Sequence, residues 1–144
     1  MDGTAGLRDI ENFNEWYNIL CDISNGETLI DVFVPSTLYL AVSSDDSHLI
    51  EMINIRHHLN SYLLNFGGHI GYSVRKSERQ KGYATEMLGL SLKECAKLNL
   101  EKILITCIKN NIASAKTMIN NGAKFENEVL KGNEIIQRYW ITLH

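Results

Sequence analysis

The sequence predicts an α/β (α+β) fold: a mixed, mostly antiparallel central sheet flanked by helices, with one parallel strand pair, Gly67 to Val74 beside Ile103 to Ile108. Three observations predict it. Two pairs of short alternating runs, each joined by a polar turn, read as antiparallel hairpins. Between them a stretch of helical period links two apolar runs, the pattern of a right-handed βαβ crossover. The second of those runs, Ile103-Leu104-Ile105-Thr106-Cys107-Ile108, is apolar almost without alternation, which marks a strand covered on both faces.

At 144 residues, 44% of them hydrophobic, the chain suits one domain spanning 1–144 with a core of ordinary size. Its formal charge of −3 and the lack of a basic block argue against nucleic acid as a partner. The longest uncharged runs, Val32 to Ser44 and Ser61 to Val74, are broken by Pro35 and by glycines and fall short of a membrane span of roughly 18 residues. No signal peptide is visible at Met1-Asp2-Gly3, so the expectation is a cytoplasmic protein without membrane attachment. Cys21, Cys95 and Cys107 lack metal-ligand spacing and are expected as reduced core residues.

In order, Asn12-x-x-Glu15 resembles a capping box, and Phe13, Trp16, Tyr17 and Leu20 follow at helical spacing until Asn25-Gly26. Glu27 to Ser36 fits either a short helix or part of a strand, and Pro35 breaks both. Leu38 to Val42 is a strand, Ser43 to Ser47 a turn, and Leu49 to Ile55 the antiparallel partner. His57-His58 and a connection with a possible helical turn, Leu59 to Phe66, come next. Neighbouring histidines in a strand point to opposite faces and no third ligand matches them, so no metal is expected.

In the strand from Gly67 to Val74, Ile70, Tyr72 and Val74 share one face, and His69, Gly71 and Ser73 form a small polar one that permits close approach. The turn Arg79-Gln80-Lys81-Gly82-Tyr83-Ala84-Thr85 then opens a helix with Ala84, Met87, Leu88, Ser91, Cys95 and Leu98 on one stripe and Asn99 as its stop. Unpaired backbone N–H groups and the positive dipole end at such a helix start suit a phosphate. Gly82 and Ala84 keep bulk away, and Arg79 and Lys81 bring positive charge. After the apolar strand, Asn110 or Asn111 caps a further helix that ends at Asn121-Gly122. Phe125 to Leu130 and Ile135 to Leu143 are the last strands, joined by Lys131-Gly132-Asn133.

Gly71-Tyr72-Ser73-Val74-Arg75 followed by Arg79-x-x-Gly82-x-Ala84 resembles the acetyl-CoA signature of the GCN5-related N-acetyltransferases (GNAT). The order of elements from about Thr37 onward is similar as well. Asn111-x-x-Ser114 with Gly122 resembles that family's second cofactor segment, where an asparagine meets the pantetheine arm. The stretches Ile108 to Lys116 and Ile136 to Ile141 look like a bacterial subgroup of predicted acetyltransferases. The resemblance implies a GNAT-like sheet, acetyl-CoA as co-substrate without a metal, and direct transfer of the acetyl group to a primary amine of a small molecule or peptide. It implies cofactor contacts from Tyr72, Ser73, Val74, Arg79, Gln80, Lys81, Gly82, Tyr83, Ala84, Thr85, Asn111 and Ser114. A homodimer is compatible with it. Two features depart from the family: no convincing first strand precedes the first helix, and Met118 stands where many relatives carry a proton-donating tyrosine.

The chemistry needs a base for the amine, a donor for the thioester oxyanion and a proton for the thiolate. A backbone N–H between Tyr72 and Val74 would serve the oxyanion if that strand splays from its neighbour. His69, on the small-residue face, is the expected base, with Glu51 as the second candidate; Tyr139 and Tyr83 are candidate acids by type and location. The bland reading of His69 is a packed, hydrogen-bonded histidine. Two other functions fit parts of the pattern. One is a non-catalytic acyl-CoA-binding or sensor module, suggested by Met118. The other, a nucleotide-phosphate binder, lacks the Gly-Lys-Ser/Thr ending that holds magnesium.

Overall fold

A computed structural model describes residues 34–143. The helix expected from Asn12, the ambiguous stretch up to Phe33 and Cys21 lie outside the described residues. Strands β1 (Ser36–Val42) and β2 (Leu49–Arg56) form the first hairpin, its tip closed by Ser47 in the left-handed region at φ 60°. Its open end is clipped by His57, whose N–H donates to Pro35 O at 2.8 Å while its ring meets Thr37 Oγ1 at 2.8 Å. The pair His57-His58 is thus partly used as a fastener, and among the described residues no cluster of His, Cys, Asp and Glu could hold a metal.

Four further strands and two helices follow: β3 (Ile70–Val74), α1 (Tyr83–Lys97), β4 (Lys102–Ile108), α2 (Ile112–Asn120), β5 (Lys124–Lys131) and β6 (Glu134–Thr142). They complete a six-stranded sheet of order β1-β2-β3-β4-β6-β5 in which β3 and β4 are the parallel pair and every other pairing is antiparallel. β6 rather than β5 lies against β4. Tyr139 and Ile141 on its helix-covered face and Ile136 on the other are buried, whereas the charged strand β5 is exposed along almost its whole length and takes the edge, where unpaired backbone is best protected by charge.

The helices cover the face that carries Ile53, Ile55, Ile70, Ile103, Ile105 and Ile141, and Leu88, Cys95 and Met118 close the core against it. Ile103, Leu104 and Ile105 are all 0% exposed, so β4 is covered on both faces as its unbroken apolar run predicts. Cys95 and Cys107 are buried thiols, and burial pushes both up to about 11. Leu98 departs from the expected stripe: the helix has ended at Lys97, Asn99 turns the chain at φ 60°, and Leu98 faces solvent.

The strand expected from Gly67 begins at Ile70. Leu63–Gly67 instead makes a wide helical turn, closed by the Gly68 N–H donating to Leu63 O. Its outer carbonyls are taken by donors from three strands: Arg56 to Gly67 O and Gly68 O, Thr106 to Phe66 O, and Arg138 to Leu64 O. Gly68 has φ +68°, and a Cβ there would stand 2.5 Å from Leu104 O, so only glycine lets the chain pass this close to β4.

Candidate active site

The site starts from a parting of strands. β3 and β4 pair at Ile70 opposite Ile105, with His69 N–H donating to Leu104 O at 2.7 Å, and then separate. β3 stays on β2 throughout, from Ile55 opposite Ile70 to Glu51 opposite Val74. In that antiparallel ladder Arg56 bonds to His69 and Arg75 to Ile50, so the alternation gives Gly71 and Ser73 to β2. Tyr72 and Val74 consequently turn their backbone groups toward the gap. Arg79 Nε donates to Val74 O at 3.1 Å, which fits that direction.

The gap leads into a cleft of about 600 Å³ between the start of α1 and α2. A short 3₁₀ turn, Lys76–Glu78, brings the chain around, with Gln80 at φ +62° and Gly82 at φ +84°. No side chain caps the helix at Gly82, so its first N–H groups stay free and face the cleft opening. Nothing lies within 4 Å of a Cβ built on Gly82, so its glycine answers to the backbone angle rather than to lack of room. On the other wall, Asn111 Oδ1 accepts from Ser114 N–H at 3.1 Å and starts α2. Asn121 Nδ2 donates to Thr85 O and to Thr117 O, both at 3.0 Å, and so fixes the distance between the two helices.

Of the side chains expected to meet the cofactor, Tyr72, Ser73, Val74, Arg79, Gln80, Gly82, Tyr83, Ala84, Thr85, Asn111 and Ser114 come together along this cleft. Lys81 does not; its ammonium is turned to Glu78 at 2.9 Å. Glu78, Ala113, Lys116, Thr117 and Asn120 line the cleft too and were not foreseen. The signal for the α2 members was present, since 113, 116, 117 and 120 share one helix face.

Tyr72 crosses the cleft floor. Its hydroxyl lies 2.7 Å from Ser114 Oγ and 3.3 Å from Ser114 O, and burial raises its pKa against the lowering effect of that hydrogen bond. Met118, one turn further along α2, is 0% exposed in the core. Of the four side chains expected to move protons, Tyr83 lines the cleft and the other three are not among its lining residues. His69 is 6% exposed, its Nδ1 accepts the Leu104 N–H at 3.0 Å, and desolvation with the nearby Arg56 charge lowers it to about 4. Glu51 is 1% exposed on the helix-covered face beside Val74; neither carboxyl oxygen has a hydrogen-bond partner, and desolvation raises it to about 7. Tyr139 is buried between β5 and the core and donates to Gln137 Oε1 at 3.1 Å.

An anion-binding helix start beside a backbone wedge fits the diphosphate and the amide-bearing arm of acetyl-CoA. The sequence matches the acetyltransferase (GNAT) domain over residues 7–124. No curated protein matches it significantly. The fold is similar to that of the ribosomal-protein-S5-alanine acetyltransferase from Vibrio fischeri, with TM-score 0.69 and 17% identity over 90% of this chain and 69% of that one. It is similar to the spermidine N-acetyltransferase from Vibrio cholerae, solved with CoA and spermine, with TM-score 0.68 and 16% identity over 92% and 76%. A GNAT-family acetyltransferase from Bacillus anthracis gives 0.60 and 23% over 73% and 65%. With more than half of its length matching the domain, the chain belongs to the GNAT acetyltransferase family, whose activity is acetyl transfer from acetyl-CoA.

Proposed function

We propose that the chain moves the acetyl group of acetyl-CoA onto a primary amine of a small molecule or peptide by direct attack. The observation that carries this reading is the wedge between β3 and β4, which opens onto the free N–H groups of α1. The first turn of α1, with Arg79 beside it, would hold the diphosphate, and Asn111 with the main chain of residues 72–74 would hold the arm. The acetyl group enters as the thioester of the bound co-substrate. The Tyr72 N–H, free of the β-ladder, is the donor for the carbonyl oxygen. The Tyr72 hydroxyl, backed by Ser114, is the proton source for the sulfur in place of the tyrosine that Met118 replaces. Capture of spermine by the Vibrio cholerae relative supports an amine acceptor.

Glu78 is the one carboxylate among the described residues that line the cleft, and Lys81 and His48 hold it. Among the described residues that line the cleft no unpaired carboxylate or imidazole stands, so in this reading the amine gives its proton to water. Turnover should then rise with pH in proportion to the deprotonated amine, with a slope of about one, until the amine's own pKa is reached. A plateau near pH 7 would instead reveal a protein base.

Calorimetry with CoA, acetyl-CoA and ATP tests the site, and thiol release over a panel of amines tests the reaction. Gly82→Val should leave a folded chain and weaken CoA binding by about tenfold or more, because the new side chain forces φ +84° out of range. Binding of ATP alone would overturn the assignment. A second reading, an acyl-CoA-binding or sensor module, is favoured by the burial of Met118 and predicts tight CoA binding with no turnover on any amine.

A further inference from the structure

The tip of the β1–β2 hairpin reaches across to the turn that opens α1, and the contact is made of charge. His48 Nδ1 lies 2.5 Å from Asp46 Oδ1 and its Nε2 lies 3.1 Å from Glu78 Oε1. The other oxygen of Glu78 takes Lys81 Nζ at 2.9 Å. Ionised carboxylates only accept, and a neutral imidazole has a single N–H to give. Meeting a carboxylate with each nitrogen therefore makes His48 an imidazolium. Asp46 from its own turn and Glu78 from the turn after β3 are the charged groups that meet the ring; Lys81 stands beyond Glu78, and Asp45 is exposed at the hairpin tip.

Glu78 faces the cleft where an anionic co-substrate would lie, and its side chain is 12% exposed. A carboxylate so placed opposes a diphosphate unless cations hold it. Lys81, 52% exposed at its side chain, is free to swing, but while it serves Glu78 it cannot serve a phosphate. With His48 protonated, Asp46, His48, Glu78 and Lys81 sum to zero charge, and Glu78 keeps a cation when Lys81 leaves. With His48 neutral the four sum to −1, and Lys81 is the sole cation left on Glu78.

We propose that His48 is a positioning residue for the co-substrate site: as an imidazolium it holds Glu78, which releases Lys81 to the anionic co-substrate and makes CoA binding weaken as His48 loses its proton. The proposal rests on the acetyl-CoA reading of the cleft. The hydrogen bond to Asp46, followed by its charge and that of Glu78, raises the pKa of His48 against the opposing effect of desolvation, so the weakening falls above the usual histidine range near pH 6.5.

The test is calorimetric titration of CoA at about pH 5.5 and pH 8.5 into the wild-type chain, His48→Gln and Glu78→Gln. Titration of the phosphate groups of CoA is common to all three proteins and cancels between them. The wild-type affinity should fall about threefold to fivefold more than that of either variant, the size expected of one charge acting across a partly solvated site. At pH 8.5 Glu78→Gln should bind CoA more tightly than the wild type. The same pH ratio in all three proteins, or weaker binding by Glu78→Gln, overturns the role of His48 and leaves the acetyl-CoA reading standing. A wild-type chain that takes up no CoA at either pH overturns that reading, and the role of His48 with it.

Discussion

At the scale of single residues, Tyr72 carries two roles in the proposed transfer. Its place opposite Ile53 on the helix-covered face gives its ring to the cleft floor, and the same ladder frees its N–H into the gap. Tyr72→Phe keeps the ring and the N–H and loses the bond to Ser114. It should cost about 1 kcal/mol in urea unfolding. CoA affinity should stay within about twofold while turnover falls about tenfold to a hundredfold if the hydroxyl is the proton source. Unchanged turnover would remove it from the mechanism. His69 illustrates the opposite case. Its residue type and strand position suggested a base, but its Nδ1 is spent on the backbone of β4, and a group held near pKa 4 is a poor acceptor for an amine proton.

At the scale of elements, β4 is the fixed wall and β3 the diverging one. β4 is paired with β6 from Lys102 opposite Thr142 to Ile108 opposite Ile136, while its contact with β3 ends after Ile105. Leu104 anchors it from the face away from the helices at 0% exposure, and its carbonyl closes over Gly68. Leu104→Ala should lower stability by about 2–5 kcal/mol through lost burial and the cavity left behind, read as a shift of the urea midpoint at unchanged slope. A loss under about 1 kcal/mol would show that the neighbouring side chains collapse into the space. The helix starts were legible because their chemistry is local: Gly82 and Asn111 announce themselves by backbone angle and by cap. The turn at Leu63–Gly67 was less so, because its carbonyls are satisfied by Arg56, Thr106 and Arg138 from three separate strands.

For the whole molecule, two buried ionisable groups set opposite slopes on stability against pH. Glu51 rises from the usual 4.5 to about 7, so the folded chain keeps a proton that the unfolded chain gives up. Its charge therefore costs nothing below pH 4.5 and reaches its full cost, about 3 kcal/mol, from about pH 7 upward. His69, lowered from 6.5 to about 4, acts the other way: its contribution is complete above pH 6.5 and is lost as pH falls toward 4. Glu51→Gln should thus stabilise the chain at pH 8 by more than at pH 5, as measured by thermal unfolding at both. An equal shift at the two values would show that Glu51 is not titrating in the folded chain.

The sequence by itself determined most of the elements from Thr37 onward, the single parallel pair and most of the residues that gather at the cleft, since strand period, helix stripe, glycine angle and asparagine cap all act over a few residues. Only the tertiary structure decided that β6 slides between β4 and β5, that Lys81 turns to Glu78, and that His69 and Glu51 are buried outside the lining of the cleft. Those outcomes depend on which groups meet across long stretches of chain, as His48 meets Glu78 from 30 residues away, and local pattern carries no record of such meetings. The turn of Arg79 to Thr85 was readable as a helix start; that its Lys81 shares Glu78 with His48 of the β1–β2 hairpin was not.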